Sequence, residues 1–162
     1  KGLNYSAGNG KAIVMGMLER GGKVRAGVIA DRKLASMRPS VHNNIEAGAQ
    51  IITDEHANYP FIASEADMTH EIINHIEGYV REHVHTNGIE NFWSCLKRGL
   101  NGTHISVEPI HLDRYVDEQV FRFNLRHNHT DAERFKAVLK DIVGRRLTYA
   151  ELTGRTGSVA QA

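Results

Sequence analysis

Lys11-Ala12-Ile13-Val14-Met15-Gly16-Met17-Leu18-Glu19-Arg20-Gly21-Gly22-Lys23-Val24-Arg25-Ala26-Gly27-Val28-Ile29-Ala30 reads as two strands joined by a tight turn. The glycine pair at 21 and 22 supplies the positive φ that short hairpins need. The first arm, Lys11 to Glu19, is almost continuously apolar. In the second, Lys23 to Ala30, Val24, Ala26, Val28 and Ala30 alternate imperfectly with Lys23, Arg25 and Ile29.

Outward from this hairpin, Lys33 to Glu46 has helical composition, disturbed by Pro39, and Gly48 acts as a stop. Gln50 to Thr53 is short and apolar, as a buried central strand should be. A helix over Asn58 to Phe61 is followed by irregular chain to His75, and Tyr79-Val80 suggests another short strand. The spacing predicts a helix from Asn87 to about Leu100, ended by Asn101-Gly102-Thr103. From Glu108 to Arg126, Leu112, Tyr115, Val116, Val120 and Phe123 recur at helical spacing. Asp131 to Gly144 is a weaker helix, and Gly154 to Ala162 is a small-residue tail expected to fray. Hairpin, helix, strand, helix, strand, helix is the order of a mixed α/β protein. The division expected is 1–128 for the main domain and 129–162 for a C-terminal helix and flexible tail.

Composition narrows the function classes. At 162 residues the chain is one ordinary domain with room for a core. No stretch approaches the roughly 18 consecutive apolar residues of a membrane span. Cys95 is the single cysteine, which excludes an internal disulfide and suits a reducing cytoplasm. A net charge of +1 neither demands nor excludes nucleic acid. Its distribution says more: Lys97, Arg98, Arg114, Arg122, Arg126, Arg145, Arg146 and Arg155 all lie in the C-terminal half. They read equally as a phosphate-facing surface or as solvated side chains. The chain starts at Lys1 inside a polar, glycine-rich stretch that looks like the middle of a loop, so a further upstream portion is expected.

Two acids carry the chemistry. Asp54 ends the strand Gln50-Ile51-Ile52-Thr53, a position fixed in direction by a sheet yet open to solvent, as a metal ligand needs. It reads also as a turn or helix-capping residue; Glu55, pointing the other way along a strand, is the poorer ligand. Glu90 opens the helix Asn87-Gly88-Ile89-Glu90-Asn91-Phe92-Trp93-Ser94-Cys95-Leu96-Lys97-Arg98. Three residues after Asn87, it fits a capping box as well as a ligand set. Lys97 stands seven residues further, two turns on, and shares its face, while Ile89, Phe92, Trp93, Leu96 and Leu100 form an apolar one. A strand-end Asp beside a helical Glu with a Lys two turns on is the layout of a divalent-metal phosphoryl-transfer site. His70, His75, His83 and His85 with Cys95 invite a zinc reading, but structural zinc uses paired cysteines and this chain has one. No phosphate-binding Gly-x-x-x-x-Gly-Lys loop is present, and Ser94 and Cys95 lack the setting of an activated nucleophile.

Glu19-Arg20-Gly21-Gly22-Lys23-Val24-Arg25-Ala26, Ile52-Thr53-Asp54-Glu55, and the block from His85 to Gly99, with its His-Thr-Asn-x-x-Glu-x-x-Trp-Ser-x-x-Lys-Arg pattern, occur in order. With His111-Leu112-Asp113-Arg114-Tyr115 and Phe121-Arg122-Phe123-Asn124-Leu125-Arg126 they resemble the ISXO-two-like transposases of bacterial insertion sequences over most of residues 11 to 128. The resemblance implies an RNase H-like fold with a DDE-type site that cuts and joins DNA ends. Asp54 would be the second acid, Glu90 the third and Lys97 the basic residue beyond it, with Asn87 as an alternative third ligand. Two Mg²⁺ ions, replaceable by Mn²⁺, would be held there. Lys97, Arg98, Arg122 and Arg126 would contact DNA: the terminal inverted repeats and the target. A homo-oligomer on DNA, in the bacterial cytoplasm and nucleoid, with no membrane, is the matching setting. The first acid belongs on a central strand upstream of Lys1, between the hairpin and the Asp54 strand, and Asp31, on the wrong strand, should not replace it. Two other readings remain: an RNase H-like nuclease that never joins strands, and an inactive fragment that binds DNA or a transposase.

Overall fold

The computed structural model describes residues 12–53, 59–65, 67–72, 87–104, 107–127 and 129–153. β1 (Ile13–Leu18) and β2 (Val24–Ile29) form the expected antiparallel hairpin, with Leu18 opposite Val24, Gly16 opposite Ala26 and Val14 opposite Val28. The turn closes through Gly22 N–H to Glu19 C=O at 2.9 Å, and Gly21 takes φ +68°, which glycine reaches without a Cβ clash.

Period-two alternation makes the hairpin the middle layer of the molecule. One face carries Val14, Leu18, Val24, Ala26 and Val28 into a core with Phe92, Leu96, Leu100, Leu112, Val116 and Phe123. The other face carries Met15 into a second core with Met37, Val41, Ile62, Ala63 and Met68. The helices of the first core are α3 (Asn87–Arg98) and α4 (Leu112–Asn124); those of the second are α1 (Leu34–His42) and α2 (Tyr59–Glu65).

A second sheet pairs β3 (Gln50–Thr53) with β4 (Thr69–Ile72) in parallel, with Thr53 level with Ile72. α2 is the crossover between them, as a parallel pair requires. Two sequence expectations fail here. β3 is not a fully buried strand: Gln50 is exposed, Ile51 and Ile52 are half-buried, and only Thr53 is buried. Among the described residues β4 alone pairs with it. The chain after α2 is not irregular either, because Thr69-His70-Glu71-Ile72, weak as a strand by itself, is ordered by its ladder to β3.

The remaining differences are local. α1 ends at His42 rather than Glu46, one turn beyond Pro39, where Asn44 Nδ2 donates to Ser40 C=O at 2.7 Å. Asn101-Gly102-Thr103 does not stop α3: the chain continues as a π-turn over Gly99–Thr103, closed by His104 N–H to Gly99 C=O at 3.1 Å. That wider turn keeps Leu100 in the first core. The Glu108–Arg126 helix is a 3₁₀ turn, Pro109–His111, leading into α4. α5 (Asp131–Ile142) has the expected extent, and a short α6 (Tyr149–Leu152) follows where a helix was not foreseen. The Tyr79-Val80 strand and the 154–162 tail lie outside the described residues. No helix among the described residues is long and apolar enough to cross a membrane.

Candidate active site

α3 is amphipathic: Phe92 and Leu96 are buried, and Glu90, Asn91, Ser94, Lys97 and Arg98 are exposed on the other side. Its position is set by two glycines. A Cβ on Gly16 would lie 2.7 Å from the Trp93 ring, and one on Gly88 would lie 2.5 Å from Leu18 Cδ2. Bare backbone at both points lets the start of α3 lie directly on the hairpin. Phe92 meets Trp93 and Phe123 edge-on, with centroids 5.0 and 5.3 Å apart, which fixes the rotation of the helix between hairpin and α4. Glu90 is therefore held in the first turn of a helix whose opposite side is locked in the core. Lys97 and Arg98 stand in the last turn, where positive charge suits the helix dipole.

Asn87 is the first residue of α3, not its cap. The capping box expected from Asn87 to Glu90 is thus out of register by one position, since the reciprocal glutamate belongs three residues after the cap. Asp54 and Glu55 lie outside the described residues. Their neighbour Thr53 is anchored: it is buried, and its hydroxyl is 2.7 Å from Nε2 of His70 on β4. Burial lowers the pKa of His70, favouring the neutral ring. No motif in the sequence signals this pair; it exists only because β3 and β4 are adjacent. Of the four clustered histidines, His75, His83 and His85 lie outside the described residues. Among the described residues no group of three His, Cys, Asp or Glu side chains is placed to hold a metal. Cys95 is half-buried, with Sγ 3.6 Å from Asn91 Oδ1.

The basic residues divide in two. Lys97 and Arg98 are exposed, with no ion-pair partner among the described residues. Arg122 pairs with Glu118 at 2.7 Å beside a cavity of about 230 Å³ between α3 and α4. Arg126 lies 3.6 Å over the Phe123 ring and donates to Phe123 C=O at 2.6 Å. Asp31 is occupied at the start of α1. Ser36 Oγ donates to it at 2.6 Å and Lys33 N–H at 2.9 Å, and these bonds hold its carboxyl below the usual range.

Sequence reading also missed the contacts along the outer edge of β2. Asn124 accepts from Val24 N–H at 2.8 Å and donates to Val24 C=O at 2.9 Å, while Asp113 accepts from Val28 N–H at 3.1 Å. Side chains of α4 thus bond the strand edge that another strand would otherwise take.

No curated protein sequence matches the chain. A family model does: the ISXO2-like transposase domain matches residues 1–124, well over half the chain, including the hairpin, β3, α3 and α4. The protein belongs to the ISXO2-like transposase domain family.

Proposed function

We propose that this chain is the catalytic domain of a DNA transposase that cuts and rejoins DNA strands at insertion-sequence ends, on an RNase H-like fold. The observation carrying the proposal is Glu90, exposed in the first turn of a helix locked against the hairpin, with Lys97 and Arg98 exposed two turns on, in a chain of a transposase family. The fold reading draws on the two sheets: an antiparallel hairpin and a parallel pair, with α1 and α2 shared between them, are compatible with one mixed sheet completed by a strand between β1 and β3.

Asp54 and Glu90, with Asn87 as the alternative to Glu90, would hold the metal. Carboxylate and amide oxygens are hard donors and suit Mg²⁺, with Mn²⁺ as its substitute. Two such ions supply charge for activating an attacking hydroxyl and for stabilising the leaving oxygen of an in-line displacement. The chain's own contribution is positional. Thr53 and His70 hold the end of β3, and the Phe92–Trp93–Phe123 contacts hold the start of α3. Lys97 and Arg98 take DNA backbone phosphates, contributing affinity more than sequence choice. Arg122 and Arg126, already engaged within the chain, are secondary contacts.

The test is strand cleavage of a terminal-repeat substrate with Mg²⁺. Asp54→Asn and Glu90→Gln should each abolish cleavage and strand transfer while DNA binding persists. Cleavage retained by both variants would overturn the assignment. Cleavage without a strand-transfer product in the unaltered protein would instead identify a hydrolytic nuclease.

A further inference from the structure

Gly99, His104, Tyr115, Gln119 and the Glu118–Arg122 pair converge on the cavity of about 230 Å³ between α3 and α4. The π-turn shapes it, carrying the chain from Gly99 to His104, whose N–H closes the turn on Gly99 C=O at 3.1 Å. Turns of this width recur at functional sites. Gly99 leaves the floor bare: outside its own helix, a Cβ there would meet nothing nearer than Gln119 Oε1 at 3.9 Å. Leu96 and Leu100 add apolar surface, and the His104 and Tyr115 rings meet edge-to-face at 4.5 Å as an aromatic wall. Glu118 and Arg122 stand at the rim, 45% and 69% exposed and 2.7 Å apart. An exposed pair contributes little by itself, so each partner can turn to a ligand at small cost. Arg98 directly precedes Gly99 in the chain, so a strand whose phosphates lie on Lys97 and Arg98 has its bases within reach of the cavity.

We infer that this cavity takes a single guanine base turned out of a DNA strand. The chemistry of the lining selects that occupant. Apolar and aromatic walls suit a planar ring, which stacks on such surfaces. A phosphate is disfavoured, because the rim sets the Glu118 carboxylate against the Arg122 guanidinium. A wholly apolar ligand would leave Glu118, Gln119 and Arg122 without partners. A carboxylate only accepts hydrogen bonds and a guanidinium only donates them. Guanine alone among the bases has two adjacent donors on one edge, N1–H and the N2 amine, and two acceptors, O6 and N7, on another. Glu118 fits the first edge and Arg122 the second. Thymine sets one N–H between two carbonyl oxygens that a carboxylate repels, and adenine and cytosine each place an acceptor beside their amine.

The inference rests on the DNA-binding part of the reading above and not on its catalytic part. Fluorescence anisotropy of the full chain without metal, at one salt concentration, tests it on single strands, where no base pair has to open. The probes are a thymidine strand of about 12 nucleotides and the same strand with one central guanine, adenine or cytosine. The guanine strand should bind about 10-fold tighter or more. Equal affinities, or a preference for another base, would overturn the inference. Glu118→Gln should remove the ratio of guanine to thymidine affinity by taking away the carboxylate. Gly99→Leu should remove it by filling the floor, at a position that has open space and no left-handed φ. Should Gly99→Leu not fold, judged by circular dichroism, Glu118→Gln at its exposed position decides alone. A ratio retained by the folded variants would place base reading elsewhere and overturn the inference. Free dGMP binding as tightly as the guanine strand would overturn the strand as occupant. Because no cleavage is read, the ratio stands or falls independently of Asp54 and Glu90.

Discussion

Lys97, Arg98, Arg122 and Arg126 are one residue class in the sequence and two in the folded protein. A guanidinium stacked on a ring and bonded to a carbonyl, as Arg126 is, must surrender those contacts to reach a phosphate. Lys97 and Arg98 have nothing comparable to give up among the described residues. The Lys97→Ala, Arg98→Ala double variant should therefore weaken DNA binding and reduce the slope of log K against log salt by about 1.8, on the scale of about 0.9 per phosphate contact. An unchanged slope, measured by fluorescence titration at several salt concentrations, would remove both from the interface. Glu90 was legible at the start of α3 because an acid at a helix start occupies a position known before packing is known. The Thr53–His70 bond was not legible, since its partners are 17 residues apart and meet only across a parallel ladder.

Among the elements, α5 shows how a local sequence stabilises itself when packing does not. Thr130 and Glu133 form a reciprocal capping box: Glu133 N–H donates to Thr130 Oγ1 at 3.3 Å, and Thr130 N–H donates to Glu133 Oε2 at 2.7 Å. The bond from the Thr130 backbone, then that from its hydroxyl, holds the Glu133 carboxyl below its ordinary value of 4.5. A depressed carboxylate pKa stabilises the folded form fully above that ordinary value, and the effect fades as pH falls through the folded one. Helicity of α5, followed by its amide hydrogen exchange, should thus decline on acidification below about pH 4.5. Glu133→Ala should remove that decline and lower the helicity at neutral pH; a variant with the unaltered acid profile would show that the box does not hold the helix. The helix ends fared unevenly by the same logic. The weaker Asp131–Gly144 pattern placed α5 well, whereas beyond α3 the chain stays coiled past Asn101-Gly102 as a π-turn over Gly99–Thr103.

At the scale of the whole molecule, the hairpin is the plate to which everything else attaches. One side takes α3 and α4, the other α1 and α2, and Asn124 joins α4 to the strand edge across 100 residues of chain. Asn124→Ala removes both partners of the Val24 backbone and should cost about 1–3 kcal/mol of stability, read as a lower urea midpoint at constant slope. An unchanged midpoint would mean that water satisfies the edge equally well. Alternation along β1 and β2, helical recurrence in α4 and the glycine pair of the turn are short-range patterns, and they alone determined the mixed α/β class and the hairpin. What tertiary structure decided was the pairing of β4 with β3, the closure of the β2 edge, the split between engaged and unengaged cations, and the cavity between α3 and α4. Those depend on which surfaces meet, and contact between residues far apart in the chain leaves no period in a single sequence.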